Sequence, residues 1–141
     1  VEMYNKLLNL NFEKYPSLKP FDKNIIDFLD EFSKKLISYN NIIKYPDLIA
    51  LAYWCRKKNI YKLSKDYDFD DLVLGRGLIF HITPSNIPTN FIYSLIFGLL
   101  TGNKNIVKIP TIQFDQIKII KKIFNNLFSL KKFKKLKNYI F

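Results

Sequence analysis

The sequence predicts an α/β fold: N-terminal helices, then a β-α-β-α unit that stops before its sheet is complete. Three features predict it. Helical periodicity governs the chain up to about residue 58. A near-continuous apolar run, Leu78-Ile79-Phe80-His81-Ile82, then has the character of a buried parallel strand. After it come an apolar helix pattern and a second short apolar run, in the order that a right-handed crossover to a parallel neighbour requires. The division falls between residues 1–72, a helical region, and residues 73–141, the sheet-bearing part.

Between residues 21 and 37, apolar side chains recur at Ile25, Phe28, Leu29, Phe32 and Leu36, which line one helical face. Asp22 suits the N-cap, where a carboxylate accepts from free first-turn amides, and Asn40 and Asn41 supply the break. A second helix is expected over 46–57. Pro46 loses nothing at the first helical position, Asp47 meets the positive end, and Leu48, Leu51, Ala52 and Cys55 share a face. Residues 59–70 read as an extended connection with an acidic cluster at Asp66, Asp68, Asp70 and Asp71.

The turn Gly75-Arg76-Gly77 precedes the first strand, and Thr83-Pro84-Ser85-Asn86 ends it. Pro88 starts a helix that is apolar on nearly every side, through Phe91, Ile92, Leu95, Ile96, Phe97 and Leu99. Gly98 within it is unfavourable unless a close contact needs the space. Gly102-Asn103 reads as a C-cap, and Ile106-Val107-Lys108-Ile109 as the second strand, ended by Pro110. A third amphipathic helix follows through Phe114, Ile117, Ile120, Phe124, Leu127 and Phe128, with Lys118, Lys121 and Lys122 on its wet side. After a basic tail, Tyr139-Ile140-Phe141 reads as the start of a third strand.

A chain of 141 residues that is 48% hydrophobic can bury one domain core. The net charge of +11 admits a polyanion partner. However, the lysines are spread along the chain, alongside the Asn, Ile, Phe and Tyr bias of AT-rich coding sequence, so composition explains them more simply. One cysteine excludes an internal disulfide, and one histidine leaves little for a metal site, so no metal is expected. A cytoplasmic location fits. The N-terminus, with Glu2 and Asn5, has no leader-like apolar core. The apolar run over 91–100 is too short for the roughly 20 residues a bilayer requires.

In an open parallel sheet, ligands bind beyond the carboxyl ends of the strands. Two such ends are expected here, at 83–88 and at 108–111. Asn86 reads either as a cap for the buried helix, which spacing alone favours, or as a rigid amide donor able to stabilise negative charge on a carbonyl oxygen. Lys108 offers a cation and Thr111 a hydroxyl, suited to phosphate or ribose, although a strand-end lysine is also ordinary. His81 in an apolar strand reads as a packed residue, and Cys55 as a small core hydrophobe rather than a nucleophile. Neither a GxGxxG nor a GxxxxGK[ST] loop is present.

Three ordered blocks carry a resemblance. They are residues 77–88 (GLIFHITPSNIP), 94–103 (SLIFGLLTGN) and 107–111 (VKIPT), supported upstream by 45–57 and by 21–29. Together they resemble the acyl-CoA reductase family typified by the LuxC fatty-acid reductase of bacterial luminescence, within the aldehyde dehydrogenase superfamily. The resemblance implies an aldehyde-dehydrogenase-like, Rossmann-type NADP-binding domain, of which 73–141 is the first part. It implies reduction of a long-chain acyl thioester to an aldehyde by NADPH through a cysteine acyl-enzyme. It places Asn86 at the oxyanion hole, Lys108 and Thr111 at the adenosine ribose, and Thr83, Pro84 and Ser85 along the cofactor side. Acyl-CoA is the implied substrate, with an acyl-transferring partner protein and a homo-oligomer in the full-length enzyme.

Two departures stand out. Ile112-Gln113 replace the glutamate that usually follows the lysine segment, and losing that carboxylate favours NADP over NAD. The family's cysteine also lies further along its chains than residue 141, so this chain reads as an N-terminal fragment with its nucleophile elsewhere, inactive alone. The alternative is a non-catalytic module that binds nucleic acid or anionic lipid through its lysine-rich C-terminal helix, with nucleic acid the less expected partner.

Overall fold

The computed structural model describes residues 14–67 and 72–141. The N-terminal residues read for a leader, and Asp68, Asp70 and Asp71 of the acidic cluster, lie outside them. Among the described residues, five helices and two strands follow one another: α1 (Lys23–Ile37), α2 (Pro46–Trp54), α3 (Lys57–Ser64), β1 (Leu78–His81), α4 (Asn90–Leu100), β2 (Lys104–Val107) and α5 (Asp115–Phe128). Short 3₁₀ turns occupy Ile42–Lys44 and Lys134–Tyr139. The result is a helix-dominated α/β arrangement around a small parallel sheet.

Helix α1 starts as its sequence requires. The Asp22 carboxylate accepts from the Asn24 amide at 2.8 Å, and Ile25, Phe28, Leu29, Phe32 and Leu36 are all buried. Phe28 is the hub of the contact with α5 and the tail. Its ring stacks on Phe128 at 5.3 Å and meets Phe124 and Phe133 edge-on at 5.2 and 5.5 Å. Ser33 hydroxyl donates to the Ala52 carbonyl at 2.6 Å, which satisfies two buried polar atoms where α1 crosses α2.

The segment expected to be an extended connection over 59–70 is instead helical through Ser64, and the expected helix over 46–57 is two helices. The reason is tertiary. Asp30, on α1, accepts from the Lys57 backbone amide at 2.9 Å and so caps α3 from another helix. Ile60 then anchors the short helix in the core. Nearby, Asp27 accepts from Lys57 Nζ at 2.8 Å and Lys132 Nζ at 3.0 Å, tying α1 to α3 and to the C-terminal tail.

The Lys57 hydrogen bond, then that of Lys132, holds the Asp27 carboxyl below its ordinary range. The unfolded chain therefore binds this proton more readily, and the stabilisation is present above about pH 4 and is lost as pH falls through the lower folded value. The Lys57 and Lys132 side chains are 39% and 55% exposed, so solvent screens both pairs and the expected size is about 1 kcal/mol or less. Urea midpoints should fall less steeply for Asp27→Asn than for the wild type between about pH 5 and pH 3; parallel curves would show that the two ion pairs contribute nothing.

The strands pair in parallel, with Leu78 opposite Lys104 and His81 opposite Val107. β2 thus begins two residues earlier than the expected 106–109 and ends at Val107, because Lys104 and Asn105 pair despite their polarity. The expected third strand is met by a parallel bridge from Ile140 to Asn105, with Phe141 N–H donating to the Asn105 carbonyl at 2.8 Å. Helix α4 covers one face of the sheet. On the other face of β1, Leu78, Phe80 and Ile82 are 42%, 54% and 70% exposed, leaving a parallel strand uncovered where such strands are normally buried on both sides.

Gly102, at φ +82°, turns the chain from α4 into β2, and its carbonyl accepts from the Leu18 amide at 2.8 Å. Among the described residues, no helix is long and apolar enough to cross a membrane.

Candidate functional site

The parallel register brings the segments after both strands to the same edge of the sheet. The Lys108 amide donates to the His81 carbonyl at 3.0 Å, so the ladder continues one step past β2 and sets Lys108 beside the start of the loop over 82–89. Thr83 lies two residues further along that loop. Its side-chain oxygen is buried and has no hydrogen-bond partner among the described residues. Pro84, Ser85 and Asn86 are exposed on the same loop, and Lys108 and Thr111 are exposed on the segment after β2. No hydrogen bond joins Asn86, Lys108 and Thr111 to one another. What they share is the sheet edge.

Helix α4 starts at Asn90, two residues later than expected, with Thr89 at its N-cap and no side-chain cap. Asn86 therefore does not cap this helix, and its amide has no partner among the described residues. Cys55 is fully buried at the end of α2, and burial pushes its thiol well above the ordinary range, so it stays a protonated core residue. Among the described residues, no cluster of three metal-ligating side chains occurs.

Behind the loop is a polar network that strand periodicity does not reveal. His81 Nδ1 lies 2.7 Å from Ser94 Oγ, and Nε2 lies 2.9 Å from Asn105 Oδ1. The Asn105 Nδ2 donates to the carbonyls of Asn103 at 2.8 Å and Tyr139 at 3.2 Å, which leaves Oδ1 as acceptor. His81 must then donate from Nε2 and, when neutral, accept the Ser94 hydroxyl proton at Nδ1. The imidazole locks the end of β1 to α4 and β2 immediately before the loop that carries Thr83 and Asn86. The sequence signal was Gly98, one turn beyond Ser94: a methyl there would overlap the Asn105 carboxamide and sit 2.9 Å from His81 Nε2.

Lys104, opposite Leu78 at the amino end of the sheet, is 1% exposed, and burial pushes its ammonium below the ordinary range. It lies at the opposite end from Lys108 and plays no part in the strand-end arrangement.

The model of the acyl-CoA reductase (LuxC) family matches residues 20–140, covering α1 through the bridge at Ile140. The chain belongs to the acyl-CoA reductase family. Compared with curated proteins and with solved structures, it has no significant match. Membership implies an acyl substrate and, in general terms, a nicotinamide reductant. The family match takes in both strands and both post-strand segments.

Proposed function

We propose that residues 73–141 form the first part of an aldehyde-dehydrogenase-like, Rossmann-type NADP(H) domain of a long-chain acyl-CoA reductase, and that residues 1–72 are a helical region packed against it. The single observation that supports this best is the orphaned Thr83 hydroxyl at a parallel strand end. A buried hydroxyl without a partner costs about 1–3 kcal/mol, which a ligand oxygen at that edge would recover. The exposed Lys108 ammonium and Thr111 hydroxyl suit a phosphate or ribose, and Pro84 and Ser85 extend the same wall. With Ile112-Gln113 after them, no carboxylate there repels a 2′-phosphate.

In this scheme a cysteine thiolate attacks the thioester carbonyl and CoA leaves as the thiol, giving an acyl-enzyme. Bound nicotinamide supplies the hydride that reduces the acyl-enzyme, and loss of the thiolate releases the aldehyde. Asn86 donates its amide N–H to the carbonyl oxygen as negative charge develops. Cys55 is unsuited to the nucleophile's role, so the thiol is provided by other polypeptide. A cytoplasmic location, a homo-oligomeric enzyme and an acyl-transferring partner complete the scheme.

Two measurements test it. The 141 residues alone should show no acyl-CoA-dependent NADPH oxidation, and turnover by them would overturn the external-nucleophile scheme. In a reductase containing this segment, Lys108→Ala should weaken NADPH binding by about 10-fold to 100-fold, the range for losing a hydrogen bond to a charged group. Unchanged NADPH affinity would remove Lys108 from the cofactor site.

A further inference from the structure

The loop over 82–89 is an arch with both ends fixed to α4. At its far end the chain runs straight into the helix: Thr89, the N-cap, is buried, and Asn90 begins the first turn. At its near end the tie is a side chain. His81 Nδ1 lies 2.7 Å from Ser94 Oγ, about one turn into the same helix, so this hydrogen bond closes the chain on itself between residues 81 and 94.

Between the two ends little else holds the arch. Among the described residues, the hydrogen bonding of backbone groups over 82–88 consists of the Ile87 carbonyl, which accepts from the Asn90 amide at 3.4 Å. Ile82, Pro84, Ser85, Asn86 and Ile87 are all exposed. Pro84 and Pro88 fix their own φ angles and donate no amide, so the arch is stiff along its length but is placed by its ends. The near end is itself tightly held. His81 is 6% exposed, its Nε2 is 2.9 Å from Asn105 Oδ1 on β2, and Gly98 packs against both groups where a Cβ would overlap the carboxamide.

We infer that the His81–Ser94 hydrogen bond sets where the arch stands, and that His81 and Ser94 are positioning residues of the reductase that act through Asn86. The inference rests on the proposed role of Asn86 as donor to a developing oxyanion. Displacing a catalytic group by about 1 Å costs about 10²-fold in rate, so a tie that fixes one end of the arch has a direct kinetic value.

Ser94→Ala removes this tie and leaves the imidazole, Asn105 and a good helix former in place. Two measurements read the result. In the 141-residue chain, backbone 15N order parameters at Ser85 and Asn86 should be about 0.85, as for rigid backbone, and should fall toward about 0.6 in Ser94→Ala. Ser129→Ala, which removes a hydroxyl bond to the Asn125 carbonyl beyond α5, should leave them unchanged. In a reductase containing this segment, Ser94→Ala should lower kcat by about 10-fold to 100-fold with little change in KM. In an Asn86→Ala background the same substitution should cost nothing further, because the group it positions is gone. Equal loss of kcat in both backgrounds would mean a general loosening of the fold and would overturn the inference. So would unchanged order parameters, or wild-type kcat in Ser94→Ala where Asn86→Ala is impaired. Loss of order at 85 and 86 together with full kcat in Asn86→Ala would instead sink the oxyanion role and leave the closure of the arch standing.

Discussion

Replacing Gly98 by valine should destabilise the fold by about 3–5 kcal/mol. Gly98 sits in the buried helix α4, where the propensity argument favours substitution: almost any side chain is a better helix former than glycine, by up to about 1 kcal/mol for alanine. The close approach outweighs that gain. A Cβ would overlap the Asn105 carboxamide and lie 2.9 Å from His81 Nε2. The asparagine cannot retreat, because its Nδ2 is held by two backbone carbonyls, one of them on the tail at Tyr139. Overpacking costs about 1–3 kcal/mol, and parting His81 from Asn105 strands buried polar groups at about 1–3 kcal/mol more. Urea denaturation should place Gly98→Ala between wild type and Gly98→Val. A Gly98→Ala protein more stable than wild type would mean that helix propensity wins and the network is soft.

That glycine also marks the limit of what could be read from the sequence. Helix α1 was legible because its apolar spacing and its cap at Asp22 are local. The strand–helix–strand order was legible because residues 78–82 form an apolar run of strand length and residues 106–109 a second, shorter run ended by Pro110. Helix α3 was not, since its first amide is satisfied by Asp30 on another helix, a partner no local window contains. The start of β2 was hidden for a similar reason. Lys104 and Asn105 look like turn residues, yet Asn105 pairs with Ile79 in the strand while its side chain serves His81 and Tyr139. Gly98 announced a close contact without saying with what.

The candidate site divides in the same way. Its position followed from topology: parallel strands must present their carboxyl ends on one edge. Its supporting layer did not. His81 read as a packed residue, and it is packed, but both ring nitrogens are engaged, which makes it a strut between β1, α4 and β2 rather than filler. The spacing argument that Asn86 caps the buried helix failed, because the chain makes a turn over 85–89 before α4 begins at Asn90. That failure leaves the Asn86 amide without a hydrogen-bond partner among the described residues, exposed beside a strand end, which is compatible with the proposed role of donating to a developing oxyanion.

Asn86→Ala should therefore separate activity from stability. The side chain is exposed and makes no hydrogen bond among the described residues, so its removal should leave the urea midpoint within the spread of ordinary surface substitutions, about 0.5 kcal/mol. In a reductase that contains this segment, loss of one preorganised donor to a developing oxyanion should lower kcat by about 10²-fold to 10³-fold, or roughly 2.7–4 kcal/mol of barrier. KM for the acyl thioester should change little, since the hydrogen bond strengthens only as charge builds on the oxygen. Asn86→Asp should fall at least as far, because a carboxylate of nearly the same shape repels the charge the amide would stabilise. If either variant kept wild-type kcat, the amide at 86 would have no part in the chemistry, and the strand-end loop would be left with cofactor contacts alone. If kcat and stability fell together, Asn86 would be holding the loop rather than the oxyanion.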